Sequence, residues 1–321
     1  MATYKETVGT AVTNYAGDNP ATAFGEVWYD STGKDFKYRL NNPAGAWATT
    51  NALNTARDQV AGAGTTTSGL VFGENFGGET ESFNGTNWTE VNDLNTDRRA
   101  LAGAGASNTA ALAFGGNLAA PSPNAAADET ETWNGSNWTE VNDLNQARSF
   151  LAGTGTSTAA LAFGGSTGSG GNPPLTGETE LWNGSNWTEV NDLNTARNFL
   201  GSGGTTTSAL AFGGSGPTGS TESYNGTNWT EVNAMNSARL AVGGAGADNT
   251  AALVFGGPSS SALTESWNGT NWTVEAVLNS GRSYGGSSKG SSTAALYMGG
   301  SNTTNSEEWT SPTVQIKTLS D

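Results

Sequence analysis

Short runs of small or apolar residues, separated by turn residues, follow one another along most of the chain. After Arg148, the segment SFLAGTGT is rich in Gly and Ala, and STAALAFGG follows as an apolar run ending in a glycine pair. ETELWN then alternates polar and apolar residues, and NWTEVNDLN resumes after a turn at Gly184. These lengths and boundaries predict four antiparallel strands, named a to d in chain order. Small residues in strand a indicate that it lies innermost, where strands crowd around an axis.

This four-strand pattern occurs six times with fixed internal spacing. An Arg stands ten residues after a Trp, and a Phe or Met stands 15 or 16 residues after each Arg. Successive Trp residues lie 41 to 50 residues apart, a period typical of arrays of supersecondary units, and four strands in about 45 residues match one propeller blade. The marks are Trp47, Trp88, Trp138, Trp187, Trp229 and Trp272; Arg57, Arg98, Arg148, Arg197, Arg239 and Arg282; and Phe72, Phe114, Phe163, Phe212, Phe255 and Met298.

The order of these marks resembles the kelch repeat. Arg, a Gly-rich strand, an apolar run ending in Phe-Gly-Gly, Thr-Glu-x-aromatic and then Trp match that motif over roughly residues 47 to 310. The resemblance implies an all-β, kelch-like β-propeller. Within the family, the wording AGAGTTTSGLVFG, TESWNGTNW and LNTAR is similar to kelch-like tail and appendage proteins of marine bacteriophages, and GEVWYDSTGKDFKYR is similar to a hairpin near the start of phage tail-fibre segments.

Counting strands predicts six blades of four antiparallel strands. The Trp47 strand precedes any strand a, so we expect it to complete the last blade, with residues 282 to 310 and 45 to 52 forming one unit. Residues 1–46 would then be an N-terminal arm or attachment hairpin, and residues 47–321 the propeller. An alternative is a seventh, degenerate blade in which ATAFGEVWYD and KDFKYRL are strands b and c and TVQIKTL is strand d.

Charge and composition restrict the partners. The chain carries a net charge of −16 with only 13 Lys and Arg residues, which argues against nucleic acid or an anionic membrane as partner. No run of about 18 apolar residues predicts membrane insertion, and the start MATYKETVGT lacks the pattern of a signal peptide. The resemblance to phage appendage proteins then implies a protein made in a host cytoplasm and carried on an extracellular particle.

Two recurrent features are expected to be structural. A Trp at the same place in every blade indicates packing between blades rather than a sugar-binding surface. The d-to-a and b-to-c connections lie on one face of a propeller, so six acids share a face with the six Arg residues, one acid for each base; buried Arg-carboxylate pairs are the expected use. The acids are Glu81, Glu131, Glu180, Glu222, Glu265 and Glu308.

Catalysis has little support in the sequence. The chain contains no His and no Cys, so neither a Ser-His-Asp nor a Cys-His arrangement is available, and copper-radical oxidases of the kelch type are excluded. No pair of carboxylates is marked out for glycoside cleavage. We predict a non-enzymatic protein with no cofactor, no metal site and no catalytic residue.

Departures from the repeat indicate the binding surface. The stretch from the Phe of strand b to the aromatic residue of strand c is 19 residues in two adjacent blades and 11 or 12 in the other four. Insertions in a repeat commonly build its working face. Aromatic residues also replace Ala two positions after three of the Arg residues. The candidate binding residues are Pro121, Asn124, Asp128, Asn172, Pro173, Leu175, Phe150, Phe199 and Tyr284.

The favoured function is a structural protein of a phage virion, a tail- or appendage-associated propeller for host-surface recognition or particle assembly. Its partners would be other virion proteins and a host-surface glycan or protein, with homo-oligomerisation left open. A bacterial extracellular carbohydrate-binding propeller is the alternative, and a polysaccharide-degrading enzyme is the third reading.

Overall fold

All regular structure in the described part of the chain is β-strand. The computed structural model describes residues 13–16, 27–41, 45–74, 77–119, 125–168, 174–215, 218–311 and 314–318. Among these residues there is no helix with the length and apolar character of a membrane span. The chain forms two compact units, one of residues 1–45 with 311–321 and the other of residues 46–310.

The larger unit consists of six four-stranded antiparallel sheets, each with the strand order a-b-c-d, which confirms the predicted six-bladed propeller. Strand a is Ala61–Thr65, Ala102–Ser107, Ala152–Thr156, Gly201–Thr205, Gly243–Asp248 and Gly286–Ser287 in blades 1 to 6. Strand b is Ser68–Phe72, Ala110–Phe114, Ala159–Phe163, Ser208–Phe212, Ala251–Phe255 and Ala294–Met298. Strand c is Thr80–Phe83, Thr130–Trp133, Thr179–Trp182, Thr221–Tyr224, Thr264–Trp267 and Ser306–Thr310. Strand d is Trp88–Val91, Trp138–Val141, Trp187–Val190, Trp229–Val232, Trp272–Val274 and Ala46–Thr49.

The N-terminal end of this unit closes the ring. Strand d of blade 6 pairs with strand c of the same blade so that Trp47 lies opposite Trp309. At the axis, a Cβ atom built on Gly286 would lie 2.8 Å from the carbonyl oxygen of Ala61, so strand a of blade 6 abuts strand a of blade 1. Six blades therefore complete the circle without further strands.

The smaller unit contains the strands that the seven-blade alternative assigned to a degenerate seventh blade. Val27–Asp30 pairs with Asp35–Asn41, and Asp35–Asn41 pairs with Val314–Thr318, both antiparallel. Thr13–Tyr15 adds to this sheet in parallel with Val27–Asp30, which is unlike any blade. The propeller thus ends at Thr310 and not at residue 321, because the last described strand pairs with the N-terminal hairpin.

The core of the propeller lies between adjacent blades. The Phe side chain of strand b in one blade packs against the Trp of strand d in the next, as in the edge-on contact of Phe72 and Trp138 at 4.9 Å between ring centroids. Similar pairs join Phe114 to Trp187, Phe163 to Trp229, Phe212 to Trp272 and Phe255 to Trp47. Each blade is therefore held by its neighbours, and these Trp residues are 5 to 6% exposed.

Candidate functional site

The six Arg residues of the repeat are buried in ion pairs. Each guanidinium meets a carboxylate of strand c in its own blade, at 2.5 to 2.9 Å in the first five blades. None of these Arg residues is more than 4% exposed, and their carboxylate partners are at most 2% exposed. The pairs are Arg57–Glu81, Arg98–Glu131, Arg148–Glu180, Arg197–Glu222, Arg239–Glu265 and Arg282–Glu307.

In blade 6 the prediction that Glu308 is the partner of Arg282 was wrong. Arg282 pairs with Glu307, which stands two residues before the aromatic Trp309, as the acid does in every other blade. Successive side chains of a strand point to opposite faces, so Glu308 cannot share the direction of Glu307. Glu308 is half-buried, and burial raises its pKa.

An Asn three residues before each Arg completes these pairs, and the sequence analysis missed it. In blade 2, Asn95 donates from its backbone N–H and its Nδ2 to Oε2 of Glu131, both at 2.8 Å. The other carboxylate oxygen, Oε1, accepts from Nη2 of Arg98. The signal was present in the repeated wording LNTAR. The equivalent residues are Asn54, Asn145, Asn194, Asn236 and Asn279.

The Arg, Glu and Asn side chains of each blade bind one another, so the six Arg residues do not form an anion-binding ring. Arg148, for example, also donates from Nη1 to the carbonyl oxygens of Gly164 and Glu178. Burial lowers the pKa of Arg148, and the carboxylate of Glu180 opposes that effect. The arrangement joins the connection between blades to strand c, which is a structural role.

The Trp residues are likewise structural. Strand c carries Trp133, Trp182, Trp267 and Trp309 at 1 to 3% exposure. In five of the six junctions the Nε1 of the strand d Trp donates to a Thr hydroxyl of the preceding blade, as Trp138 does to Thr80 at 3.1 Å. A sugar ring has no access to these faces.

The residue two positions after each Arg forms a closed ring at the mouth of the axis. All six have φ between 53° and 60°, a region that side-chain-bearing residues rarely adopt. In blades 2 to 6 the N–H of this residue donates to the carbonyl oxygen of its counterpart in the preceding blade at 2.8 to 3.2 Å. In blade 1 the N–H of the next residue, Val60, closes the circle by donating to the carbonyl oxygen of Tyr284 at 3.3 Å. The six are Gln59, Ala100, Phe150, Phe199, Ala241 and Tyr284.

The ring brings the three predicted aromatic residues together. Phe150 and Phe199 have centroids 4.1 Å apart, and Tyr284 meets Phe199 edge-on at 5.8 Å. All three are half-buried. Burial raises the pKa of the Tyr284 hydroxyl, and the carboxylate of Asp58 adds to that effect. The result is a partly exposed aromatic cluster at the axis.

Both insertions begin beside this ring. In blade 2, Asn117–Leu118 forms a two-stranded ladder with Arg98–Arg99. In blade 3, Ser166 bridges Ser149 on one side and Leu175, which is 44% exposed, on the other. The two insertions thus extend the segments that lead into the ring.

The remaining predicted binding residues divide into two groups. Asp128 lies at the base of the first insertion, where its carbonyl oxygen accepts from Leu144 N–H. Pro121, Asn124, Asn172 and Pro173 lie outside the described residues. Among the residues that the structure does describe, no group of three or more acidic side chains could hold a metal ion.

Fold and repeat together define the chain as a six-bladed, kelch-like β-propeller. No protein-family model matches it, and no curated protein matches it either. Among solved structures 447 chains are similar to it. One of them, the structure of YjhT, has a TM-score of 0.69 with 12% sequence identity, over 83% of this chain and 99% of that chain. At this identity the similarity shows the fold alone.

Proposed function

We propose that the protein is a non-enzymatic recognition propeller whose binding surface is the aromatic cluster with the two insertions beside it. The observation that carries this proposal is the presence of Phe150, Phe199 and Tyr284 at left-handed backbone positions. A bulky side chain there costs free energy relative to Gly or Asn, and such costs collect at functional sites. Blades 2 and 5 have Ala at the same position, so the fold does not require an aromatic residue there.

The chemistry of this surface suits contact with a partner rather than a reaction. Exposed aromatic rings supply apolar contact area, and half-buried ones are already ordered, so little entropy is lost when a ligand binds. Their faces accept either a pyranose ring or an apolar side chain. The described part of the site offers no nucleophile activated by a base, and the sequence contains no His or Cys.

We assign this propeller to a phage virion, as a tail- or appendage-associated protein that contacts the host surface. This setting rests on the wording of the repeats and of GEVWYDSTGKDFKYR, and on the acidic composition. The smaller unit, residues 1–45 with 311–321, would attach it to other virion proteins. Immunogold labelling of purified virions tests the location, and labelling confined to host cells would favour the bacterial carbohydrate-binding alternative.

The binding surface is tested with a triple variant, Phe150→Ala, Phe199→Ala and Tyr284→Ala. Ala occupies the same ring position with the same φ in two blades, so the variant should fold while losing adhesion of the labelled protein to host cells. A matched control, Val274→Ala with Val277→Ala, removes two apolar side chains that are 59% and 52% exposed on blade 5 and its following connection. Equal adhesion of both variants would move the site elsewhere.

The insertions need a second variant. Shortening both to the 11-residue spacing of blade 1 should leave the melting temperature nearly unchanged, because the entropy of loop closure depends only logarithmically on length. Adhesion to host cells should fall. Release of reducing ends from host polysaccharide by the parent protein would instead support the enzymatic reading.

A further inference from the structure

One lysine inside the propeller occupies a position at which the other five blades have glycine. Seven residues after the Arg that recurs in every blade, blade 6 has Lys289, and the other five have Gly64, Gly105, Gly155, Gly204 and Gly246. A Cβ atom on Gly64 would lie 2.0 Å from the carbonyl oxygen of Ser68, and one on Gly204 would lie 2.1 Å from that of Ser208. Side chains are thus excluded there, whereas blade 6 accommodates a long cationic one.

The Lys289 side chain enters the channel along the propeller axis. Its backbone N–H donates to the carbonyl oxygen of Gly64 in blade 1, and its Nζ lies 3.5 Å from Oγ of Ser202 in blade 4. The channel contains a cavity of about 90 Å³ lined by strand a of all six blades, including Ser202, Ser287 and Lys289. Since a water molecule occupies about 30 Å³ in the liquid, the cavity is large enough for a small anion or for a few water molecules.

Among the described residues that line the cavity, no acidic side chain balances this charge. Lys289 is the sole charged residue among the described residues that line the cavity. Its one side-chain hydrogen bond within the described structure is the long contact to Ser202. Burial lowers the pKa of Lys289 to about 8, so the ammonium form still predominates at pH 7. Lys289 as a whole residue is half-buried, and a charge withdrawn from water is costly unless it is paired.

We propose that the axial channel is a binding site for a small inorganic anion, held by the Lys289 ammonium group with the hydroxyl of Ser287, while Ser202 Oγ accepts from Nζ and positions the ammonium group. The hydroxyl of Ser202 donates to the carbonyl oxygen of Gly153 at 2.8 Å, which fixes its position beside Nζ. Ser287 Oγ lies 3.4 Å from Gly244 N–H. Anion binding would offset the cost of the buried ammonium group and stabilise the ring. This site is distinct from the aromatic cluster.

The test compares parent, Lys289→Met and Lys34→Met, a control that removes an exposed lysine from the smaller unit. Melting temperatures are measured at constant ionic strength while gluconate is replaced by chloride, phosphate or sulfate. General salt effects act on all three proteins. We expect a saturable increase of a few degrees in the parent and the control, absent in Lys289→Met, with the effective anion identifying the ligand.

Two further measurements keep the proposal open to refutation if Lys289→Met folds poorly. In the parent, the apparent anion affinity should be about tenfold weaker at pH 9 than at pH 7, because the ammonium group deprotonates near pH 8. Crystals grown in bromide should show an anomalous peak within reach of Nζ if the ligand is a halide. An identical anion response in all three proteins, or no response in the parent, would overturn the proposal.

Discussion

Replacing Glu307 with Gln should destabilise the propeller far more than replacing its neighbour Glu308. Glu307 is 1% exposed and pairs with Arg282, which is fully buried. It also accepts from the backbone N–H of Asn279 at 2.7 Å. Glu308 is half-buried, and its pKa is raised by burial. The two acids are adjacent, so they form a matched pair of substitutions.

The expected loss of stability depends on the hydrogen bonds that Arg282 retains when Glu307 is replaced. Removing one partner of a buried ion pair costs about 3–5 kcal/mol, because the other charge stays buried and uncompensated. Arg282 retains three carbonyl acceptors, on Gly299, Ser280 and Tyr297, at 2.8 to 3.0 Å. Glu307→Gln should therefore cost about 3 kcal/mol, at the lower end of that range. Glu308→Gln should lie within about 0.5 kcal/mol of the parent protein.

Equilibrium unfolding in urea, followed by Trp fluorescence, measures both variants against the parent. The expected result is a lower transition midpoint for Glu307→Gln and an unchanged one for Glu308→Gln. Equal midpoints for the two variants would refute the argument that the buried ion pair, and not general acidity, stabilises the last blade.

Three other predictions concern the closure and the acidic surface. Ser306→Thr should raise the free energy of unfolding by about 1 kcal/mol in urea titrations. Trp88 Nε1 has no hydrogen-bond partner among the described residues, whereas the strand d Trp of the other five junctions donates to a Thr hydroxyl; an unchanged midpoint would contradict this prediction. Removing residues 1–50 should abolish cooperative melting or cause aggregation, because strand c of the last blade loses its neighbour; calorimetry unchanged from the parent would show closure by other means. Burial, and to a smaller extent the charge of Glu79, raises the pKa of the Glu74 carboxyl group. The folded state therefore binds this proton more tightly than the unfolded state. As pH rises through the raised pKa, the stability that this group contributes is lost. Glu74→Gln should therefore melt above the parent at pH 7 and equally at pH 3, and a constant difference across pH would contradict the assignment.

The repeat could be recognised in the sequence because its recurrent Trp and Phe residues form the packing contacts between blades. The Trp and Phe residues recur wherever one blade contacts the next, and their spacing predicted both the blade count and the closure at Trp47. The choice between Glu307 and Glu308 was missed because SEEW offers two acids in a row. Counting back from Trp309 resolves it, since strand alternation fixes which acid faces Arg282.

The site was only partly predictable for a different reason. The aromatic residues were visible as departures at one position of the repeat, but their meeting depends on the left-handed ring, and Phe150 carries no local signal for that conformation. Val314–Thr318 fell within the predicted propeller bounds of 47–321, and it was a propeller strand only in the seven-blade alternative, because alternation marks a strand without specifying its partner. Lys289 was overlooked, although counting seven residues from each Arg shows that it replaces a Gly found in the other five blades.

The pairing of Ala46–Thr49 with Ser306–Thr310 has a consequence for how the protein is made. The strand that completes the last blade leaves the ribosome before every other strand of the propeller, and its partner follows about 260 residues later. At a synthesis rate of about 5–20 residues per second, the first strand waits on the order of 10–50 s for its neighbour. During that time five blades can assemble only as an open arc, with an apolar blade face uncovered at each end. Such long-range pairing folds slowly, so this chain should depend on chaperones or on low local concentration until its last strands emerge.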